Sequence, residues 1–312
     1  MLKIEHLTKA FGDKLAVDDL SLHIAPGEIY GFIGHNGAGK TTTLRSVAGI
    51  QQFDKGEIFI AGHSVRTEPL ECKRALAYIP DNPDLYDFMS GIKYLNFIAD
   101  IFGVGADERA ERIRRRAAEF ALTDDLAQPI AAYSHGMKQK LAIISAWLHE
   151  PKLILMDEPF VGLDPKAAHI LKGMMREHCD AGGAIFFSTH VLEVAEKLCD
   201  KVAIIRRGKL VRSGTMDEVR GDDSLEEVFL ELEEMTKILL RKQLAEIFRT
   251  YLYDAKKNKA RSKGTVIAYF VLFALLMVGL LGGMFTFLAF TLRSTIVSGY
   301  GWFYYLIFAL AA

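Results

Sequence analysis

Cysteine is scarce in this sequence of 312 residues, and neither charge sign dominates it. The three cysteines, Cys72, Cys179 and Cys199, are odd in number and widely spaced. They therefore form neither a disulfide framework nor a zinc-finger pattern, which favours a reducing compartment. The formal net charge of −1 excludes a general polyanion binder, so we expect no nucleic-acid partner. Residues 1–5 contain no apolar run, and we expect no signal peptide.

Charge is absent from one long stretch near the end of the chain. Arg293 is the single charged residue beyond position 263, and residues 264–292 contain none. As an α-helix this stretch would be about 44 Å long, against a bilayer hydrocarbon core of about 30 Å. A basic cluster precedes it: Lys256, Lys257, Lys259, Arg261 and Lys263. We predict a transmembrane helix over residues 264–292, with its N-terminal side in the cytosol.

The segments around this stretch are also predicted to meet the membrane. Within the linker 233–263, apolar residues recur at helical spacing: Leu240, Leu244, Ile247, Phe248, Tyr251 and Leu252. We predict an amphipathic interfacial helix there, with membrane lipid as a partner. Residues 293–312 are predicted to be an external loop and the start of a second, truncated membrane segment.

The first predicted domain, residues 1–232, alternates short apolar runs with helical segments. This pattern is typical of an α/β domain with a mostly parallel sheet. The predicted strands are residues 28–33, 153–157, 184–188 and 202–205, and residues 40–49 are predicted to form a helix. Continuous apolar strands are expected where helices cover both faces of a sheet. Residues from about 87 to 148 are predicted to form an inserted helical subdomain.

A phosphate-binding loop follows the first predicted strand. It matches the pattern G-x-x-x-x-G-K-[ST] at every required position: Gly34, His35, Asn36, Gly37, Ala38, Gly39, Lys40 and Thr41. Glycines let backbone amides converge on phosphate oxygens, and Lys40 supplies a cation to the β- and γ-phosphates. The Thr41 hydroxyl can ligate Mg²⁺. We include the next residue, Thr42, in the predicted binding site.

Two adjacent carboxylates end the predicted strand 153–157. In P-loop enzymes a carboxylate in this place holds Mg²⁺, and a second one beside it can polarise the attacking water. Asp157 is therefore predicted as a metal ligand and Glu158 as the catalytic base. Alone, such a pair would more often cap a helix or lie at a solvated corner, but the phosphate-binding loop favours the catalytic interpretation.

Taken together, these motifs resemble the nucleotide-binding subunit of ATP-binding cassette (ABC) transporters of exporter type. The resemblance covers residues 1 to about 232. It implies a P-loop fold with a parallel-sheet core, an N-terminal antiparallel β subdomain and a helical subdomain. It also implies ATPase activity with ATP and Mg²⁺ as cofactors. Residues from 235 onward resemble the N-terminal part of an exporter permease. The sequence leaves open whether the chain is a fusion of the ATPase to a permease, a fragment or a truncated half-transporter.

The resemblance implies roles for further single residues. Phe11 would stack on adenine, and His190 would contact the γ-phosphate as the switch histidine. Asp81 stands where the family commonly has the Q-loop glutamine, and it would contact the metal or a water. The catalytic set implied is Lys40, Glu158 and His190.

A second group of motif residues implies a dimer. Ser134, His135 and Gly136 stand at the place of the family signature LSGGQ, and His135 departs from its consensus in the way of certain exporters. Asp164 matches the D-loop. In the family, two domains close head to tail, so that each ATP lies between one P-loop and the signature of the other. A second nucleotide-binding domain and a permease are the implied partners.

The predicted function is ATP binding and hydrolysis that drives export of an unidentified substrate. The predicted location is the cell membrane, with the ATPase domain on the cytoplasmic side. One alternative is a soluble ABC-type ATPase of translation or DNA repair, which usually has two cassettes or a long coiled insertion. Another is a non-hydrolysing scaffold, which Lys40, Asp157 and Glu158 argue against.

Overall fold

The computed structural model describes residues 1–221, 223–232, 253–254, 259–260, 271, 275–280 and 282–283. The chain divides into two units, Met1–Glu231 and Leu232–Ala312. The strands of the first unit are β1 (Leu2–Phe11), β2 (Lys14–Ile24), β3 (Ile29–Ile33), β4 (Lys55–Ile60), β5 (His63–Ser64), β6 (Leu76–Ile79), β7 (Leu153–Asp157), β8 (Ala184–Thr189), β9 (Lys201–Arg206) and β10 (Lys209–Thr215). Its helices are α1 (Lys40–Val47), α2 (Pro69–Ala75), α3 (Gly91–Ile101), α4 (Ala106–Glu119), α5 (His135–Ala146), α6 (Pro165–Asp180), α7 (Leu192–Leu198) and α8 (Met216–Arg220). A last helix, α9, covers residues 225–232 and continues to the first residue of the second unit.

A six-stranded sheet forms the centre of the first unit, in the order β10-β9-β3-β8-β7-β6. The five strands from β9 to β6 pair in parallel, and β10 adds an antiparallel edge. Every residue of β3, β7 and β8 is buried, as expected for central strands of a parallel sheet, and the polar residues among them, Asp157, Ser188 and Thr189, stand at the strand ends. The parallel α/β core and the four predicted strands are confirmed.

A second sheet has four antiparallel strands in the order β2-β1-β4-β5. It confirms the N-terminal antiparallel β subdomain. Apolar residues of β1, β2 and β4 join the same buried core as Phe32 and Phe186 of the six-stranded sheet. The hairpin between β1 and β2 pairs Phe11 with Lys14 and turns at Gly12, whose φ is +57°. This tight turn places the end of β1 beside the phosphate-binding loop.

Three helices, α3 to α5, lie between β6 and β7, within the span predicted to be mainly helical. Helix α4 buries Ile113 and Ala117 on one face. Its outer face has closely spaced ion pairs, among them Arg115 with Glu119 at 4.0 Å. Helix α5 begins after Ser134, whose hydroxyl accepts the Met137 N–H at 3.3 Å. The signature segment is therefore the N-terminus of a helix, as its sequence predicted.

All three cysteines are buried and free. Burial raises the pKa of Cys72 and of Cys199, and raises the pKa of Cys179 to about 12. The thiols therefore belong to the apolar packing of the first unit.

The second unit contains a short antiparallel pair, β11 (Tyr253–Asp254) with β12 (Lys259–Ala260). Residues 271, 275–280 and 282–283 are helical, and their side chains are exposed. Within the part of the chain that the structure describes, no helix combines the length and apolar character needed to cross a membrane. The predicted amphipathic helix, most of the predicted span 264–292 and all of residues 293–312 lie outside the described residues.

Candidate functional site

The phosphate-binding loop connects the end of β3 to the start of α1. Two of its glycines are fixed by close packing. A Cβ on Gly34 would lie 2.5 Å from the Ile205 carbonyl oxygen, and one on Gly39 would lie 2.4 Å from the Ala16 carbonyl oxygen. Gly39 also has a φ of +113°, which favours glycine. The loop is therefore seated between β9 and β2, with the N-terminus of α1 directed at its centre.

An open cleft of about 480 Å³ lies over this loop. The predicted residues that line it are Phe11, His35, Asn36, Gly37, Gly39, Lys40, Thr41, Thr42, Asp81, Asp157 and Glu158. The other two residues of the loop, Gly34 and Ala38, are buried and do not line the cleft. The structure thus gathers residues from four separate parts of the sequence around one cavity.

The Lys40 ammonium lies under the loop and is 6% exposed. Its Nζ donates to the carbonyl oxygens of Gly34 at 2.6 Å and of His35 at 3.4 Å. It also forms an ion pair with Glu158, with Oε1 at 3.4 Å. These contacts hold the positive charge at the centre of the cleft, where a phosphate oxygen would meet it.

One hydroxyl organises the two adjacent carboxylates. Ser188 of β8 stands opposite Asp157 of β7, and its Oγ donates to Asp157 Oδ1. Ser188 Oγ also accepts the backbone N–H of Glu158 at 3.1 Å. Asp157 is 2% exposed, so this bond satisfies part of a buried carboxylate. Ser188 thereby fixes the direction in which both carboxylates leave the strand.

Glu158 is constrained at both its backbone and its carboxylate. Its φ is +48°, a region that residues with a Cβ rarely occupy and that is often found at active sites. Its Oε2 is 2.9 Å from His190 Nδ1. Its buried Oε1 has no hydrogen-bond partner among the described residues, because its 3.4 Å contact with Lys40 is an ion pair without hydrogen-bond geometry. An oriented carboxylate with a free acceptor atom is suited to take a proton from water.

The donor set of the cleft fits a magnesium ion held together with phosphates. Thr41 offers a hydroxyl, and Asp157 and Asp81 offer carboxylates. Over the described residues, no group of three or more His, Cys, Asp or Glu side chains could hold a metal by itself. Mg²⁺ commonly takes only one or two carboxylates and completes its octahedron with phosphate oxygens and water. This set therefore fits Mg²⁺ bound with a nucleotide rather than a metal held by protein alone.

The signature and D-loop residues lie apart from this cleft and contact each other. The D-loop motif that ends at Asp164 begins at Gly162. The His135 ring packs on Gly162, where an added Cβ would lie 2.5 Å from His135 Cδ2. Asp164 caps α6 by accepting the Ala167 N–H at 2.8 Å, and it pairs with Lys140 at 2.7 Å. The hydrogen bond from Lys140 is the main cause of the lowered pKa of Asp164.

Ser134, His135, Gly136 and Asp164 are therefore not brought to the cleft of their own chain. His190 is likewise outside the lining, but it reaches the cleft through Glu158.

Three residues that contribute to the site were not predicted from the sequence: Lys14 and Ala16 line the cleft, and Ser188 lies behind its carboxylates. Lys14 stands opposite Phe11, and Ser188 orients the carboxylates. Lys14 follows a Gly-Asp turn directly after Phe11, so the hairpin pattern could have indicated it. Ser188 had a weaker signal, a hydroxyl near the end of a neighbouring apolar strand.

Asp81→Gln is expected to retain most of the ATPase activity. The amide oxygen of the introduced glutamine can still act as a neutral metal ligand, and Thr41 and Asp157 are still available as ligands. The check is kcat and KM for ATP over a range of Mg²⁺ concentrations, with the exposed loop substitution Asp84→Gln as control. Complete loss of hydrolysis in Asp81→Gln alone would show that this carboxylate has a catalytic duty.

The matched family model covers residues 17–161 and is described as ABC transporter. The ABC-type transporter ATP-binding protein EcsA of Bacillus subtilis (strain 168) is 34% identical over 237 residues, which is 74% of this chain and 96% of EcsA. The linearmycin resistance ATP-binding protein LnrL of the same organism is 31% identical over 219 residues, 70% of each chain. A solved structure described as the ATP binding subunit of an ABC transporter has 35% identity and a TM-score of 0.72, and it covers 75% of this chain and 99% of that one.

Proposed function

Since this chain belongs to the ATP-binding proteins of ABC transporters and is an ATPase, we propose that it drives the export of a substrate across the cell membrane. The observation that carries the hydrolytic part is the arrangement of Lys40, Glu158 and His190 around one cleft. Export is supported by the resemblance of His135 to exporter signatures and by the resistance function in the name of LnrL.

Hydrolysis at this cleft follows from the roles that the geometry permits. Lys40 and the amides of the loop bind the β- and γ-phosphates and stabilise the charge that develops in transfer. Glu158 Oε1 accepts a proton from the attacking water, while His190 holds the carboxylate through Oε2. When bound, Mg²⁺ supplies charge neutralisation at the phosphates, and Thr41, Asp157 and Asp81 would hold it.

Phe11 is proposed to select the base. Its ring is 51% exposed at the end of β1 and lines the cleft. An exposed aromatic face at that place can stack on a purine. Lys9 Nζ lies 5.1 Å from the ring centroid, which places a cation beside the same ring.

A head-to-tail dimer is proposed to complete the site. Ser134, which caps α5, is exposed together with His135, and both lie outside the cleft of their own chain. The amide end of a helix is a suitable partner for a phosphate. Two chains related by a twofold axis would therefore place each signature over the loop of the other chain.

Transport can be tested in inverted membrane vesicles that are loaded with cell extract and also suspended in it. Vesicles from cells with the native chain are compared with vesicles containing the Glu158→Gln chain, with and without ATP, by mass spectrometry of their contents. Export predicts that some compounds accumulate in the vesicles only with ATP and an intact Glu158. Depletion from the vesicles would indicate import, and no Glu158-dependent change would reject transport by this chain.

The full chain is expected to fractionate with membranes. A chain ending at Glu234 should instead be soluble and still bind ATP, because it keeps the whole first unit. Leu276→Arg should weaken insertion of the predicted span by about 2.5–3.5 kcal/mol, whereas Leu276→Ile should not. Sedimentation of each chain with membranes, after a carbonate wash, gives the measurement.

The orientation of the predicted span in the membrane can be measured with the same full chain. A cysteine introduced by Ser298→Cys should react with an impermeant thiol reagent added outside intact cells. Protection of that cysteine, together with solubility of the full chain, would overturn the membrane assignment and favour the soluble-ATPase hypothesis.

A further inference from the structure

An aromatic contact joins the phosphate-binding loop to the last helix of the first unit. The ring centroids of His35 and Phe229 lie 4.9 Å apart, and the ring planes meet at 60°. Tilted aromatic pairs at this separation attract each other beyond simple burial. The contact links two segments that are remote in sequence and that no sequence motif connects.

Helix α9 holds Phe229 firmly in place. Leu225 and Val228, on the same face of the helix, are 0% and 3% exposed. The start of the helix is closed by a reciprocal cap, in which Ser224 N–H donates to Glu227 Oε2 at 2.8 Å and Glu227 N–H donates to Ser224 Oγ at 3.2 Å. The cap lowers the pKa of Glu227, chiefly through the Ser224 N–H. Phe229 is therefore located on a helix that is capped at its start and packed on the first unit through Leu225 and Val228.

His35 connects helix α9 to the cleft over the phosphate-binding loop. Its carbonyl oxygen accepts the Ala38 N–H at 3.1 Å and the Lys40 ammonium at 3.4 Å. The residue also lines the cleft. Whatever fixes His35 therefore fixes the turn of the loop and one of the acceptors that place Lys40.

We propose that Phe229 is a positioning residue for nucleotide binding, acting through the ring of His35. By holding His35, Phe229 keeps the loop in the conformation that receives phosphates, so less ordering is required when ATP binds. Phe229 is not among the residues that line the cleft, so its effect falls on binding rather than on the chemical step. This inference depends on the ATPase site alone and not on export.

The test uses the full chain in detergent and separates KM from kcat. Phe229→Ala should raise the KM for ATP by about 3- to 10-fold, the factor expected for one aromatic pair, while kcat changes by less than about 2-fold. Phe229→Tyr, which keeps the ring, should restore the native KM. The matched control is Leu230→Ala, because Leu230 is on the same helix and is 53% exposed. An equal rise in KM in Leu230→Ala would overturn the proposal.

A double-mutant cycle tests whether the effect passes through His35. In a His35→Ala background, Phe229→Ala should change KM by less than about 2-fold, because the contact is already lost. The same 3- to 10-fold rise in that background would show that Phe229 acts by another route. Phe229→Leu keeps apolar packing but removes the ring, and it should raise KM without lowering the thermal midpoint. A native KM in Phe229→Leu would equally reject the ring contact as the cause.

Discussion

Glu158→Gln is expected to bind ATP and to hydrolyse it about 10²- to 10⁴-fold more slowly than the native chain. The substitution keeps the shape of the side chain and an acceptor for His190 Nδ1, which is 2.9 Å from Oε2. It removes the negative charge that would take a proton from water. Phosphate release and nucleotide affinity, measured on the same sample, separate the two effects.

The trapped state provides a second measurement on Glu158→Gln. With ATP bound and hydrolysis blocked, the chain should accumulate as a closed dimer that light scattering can detect. Lys40→Ala should lose nucleotide affinity or hydrolysis without trapping a dimer, because Lys40, held by the Gly34 carbonyl, is proposed to supply the charge that binds the phosphates. Glu193→Gln, on an exposed face of α7, is the control. Normal turnover in Glu158→Gln would rule out Glu158 as the base.

Ser134→Arg is expected to abolish hydrolysis in a uniform dimer while each chain still binds ATP in its own loop. The arginine would add bulk and charge where the signature is proposed to meet the γ-phosphate bound by the other chain. Mixing Ser134→Arg with Lys40→Ala should restore activity, because a mixed dimer has one intact loop facing one intact signature. Random pairing limits the recovered activity to about a quarter of the native sites.

The control for this experiment is the stability of α5. Ser134 caps that helix, and losing the cap costs about 1 kcal/mol. Thermal unfolding and ATP binding of Ser134→Arg alone therefore accompany the mixing experiment. If ATP binding collapses in the unmixed chain, the defect is in folding and the argument for a role in trans fails.

Local patterns predicted the core of this fold well. The run Leu153–Asp157 is a buried strand with its carboxylate at the end, and the loop from Gly34 to Thr41 connects a strand to a helix. Both features are encoded by neighbouring residues, since apolar continuity indicates a buried strand and glycine spacing indicates a phosphate-binding turn.

Contacts between distant segments could not be predicted in this way. Ser188 faces Asp157 only because β7 and β8 are adjacent in a particular register. Phe229 meets His35 only after α9 has packed on the first unit. Register and packing are set by the whole fold, so single positions have little signal for them. The placement of Ser134 away from its own cleft is also a consequence of the tertiary fold.

The buried cysteines have a consequence for oxidative chemistry. Thiolates, rather than thiols, react with peroxides and electrophiles, and burial holds the pKa of each cysteine above its ordinary value. Few thiolates are therefore present near neutral pH, and none of the three sulfurs lies on an exposed residue. The ATPase unit should keep its activity through an oxidative burst that disables enzymes with exposed, acidic thiols.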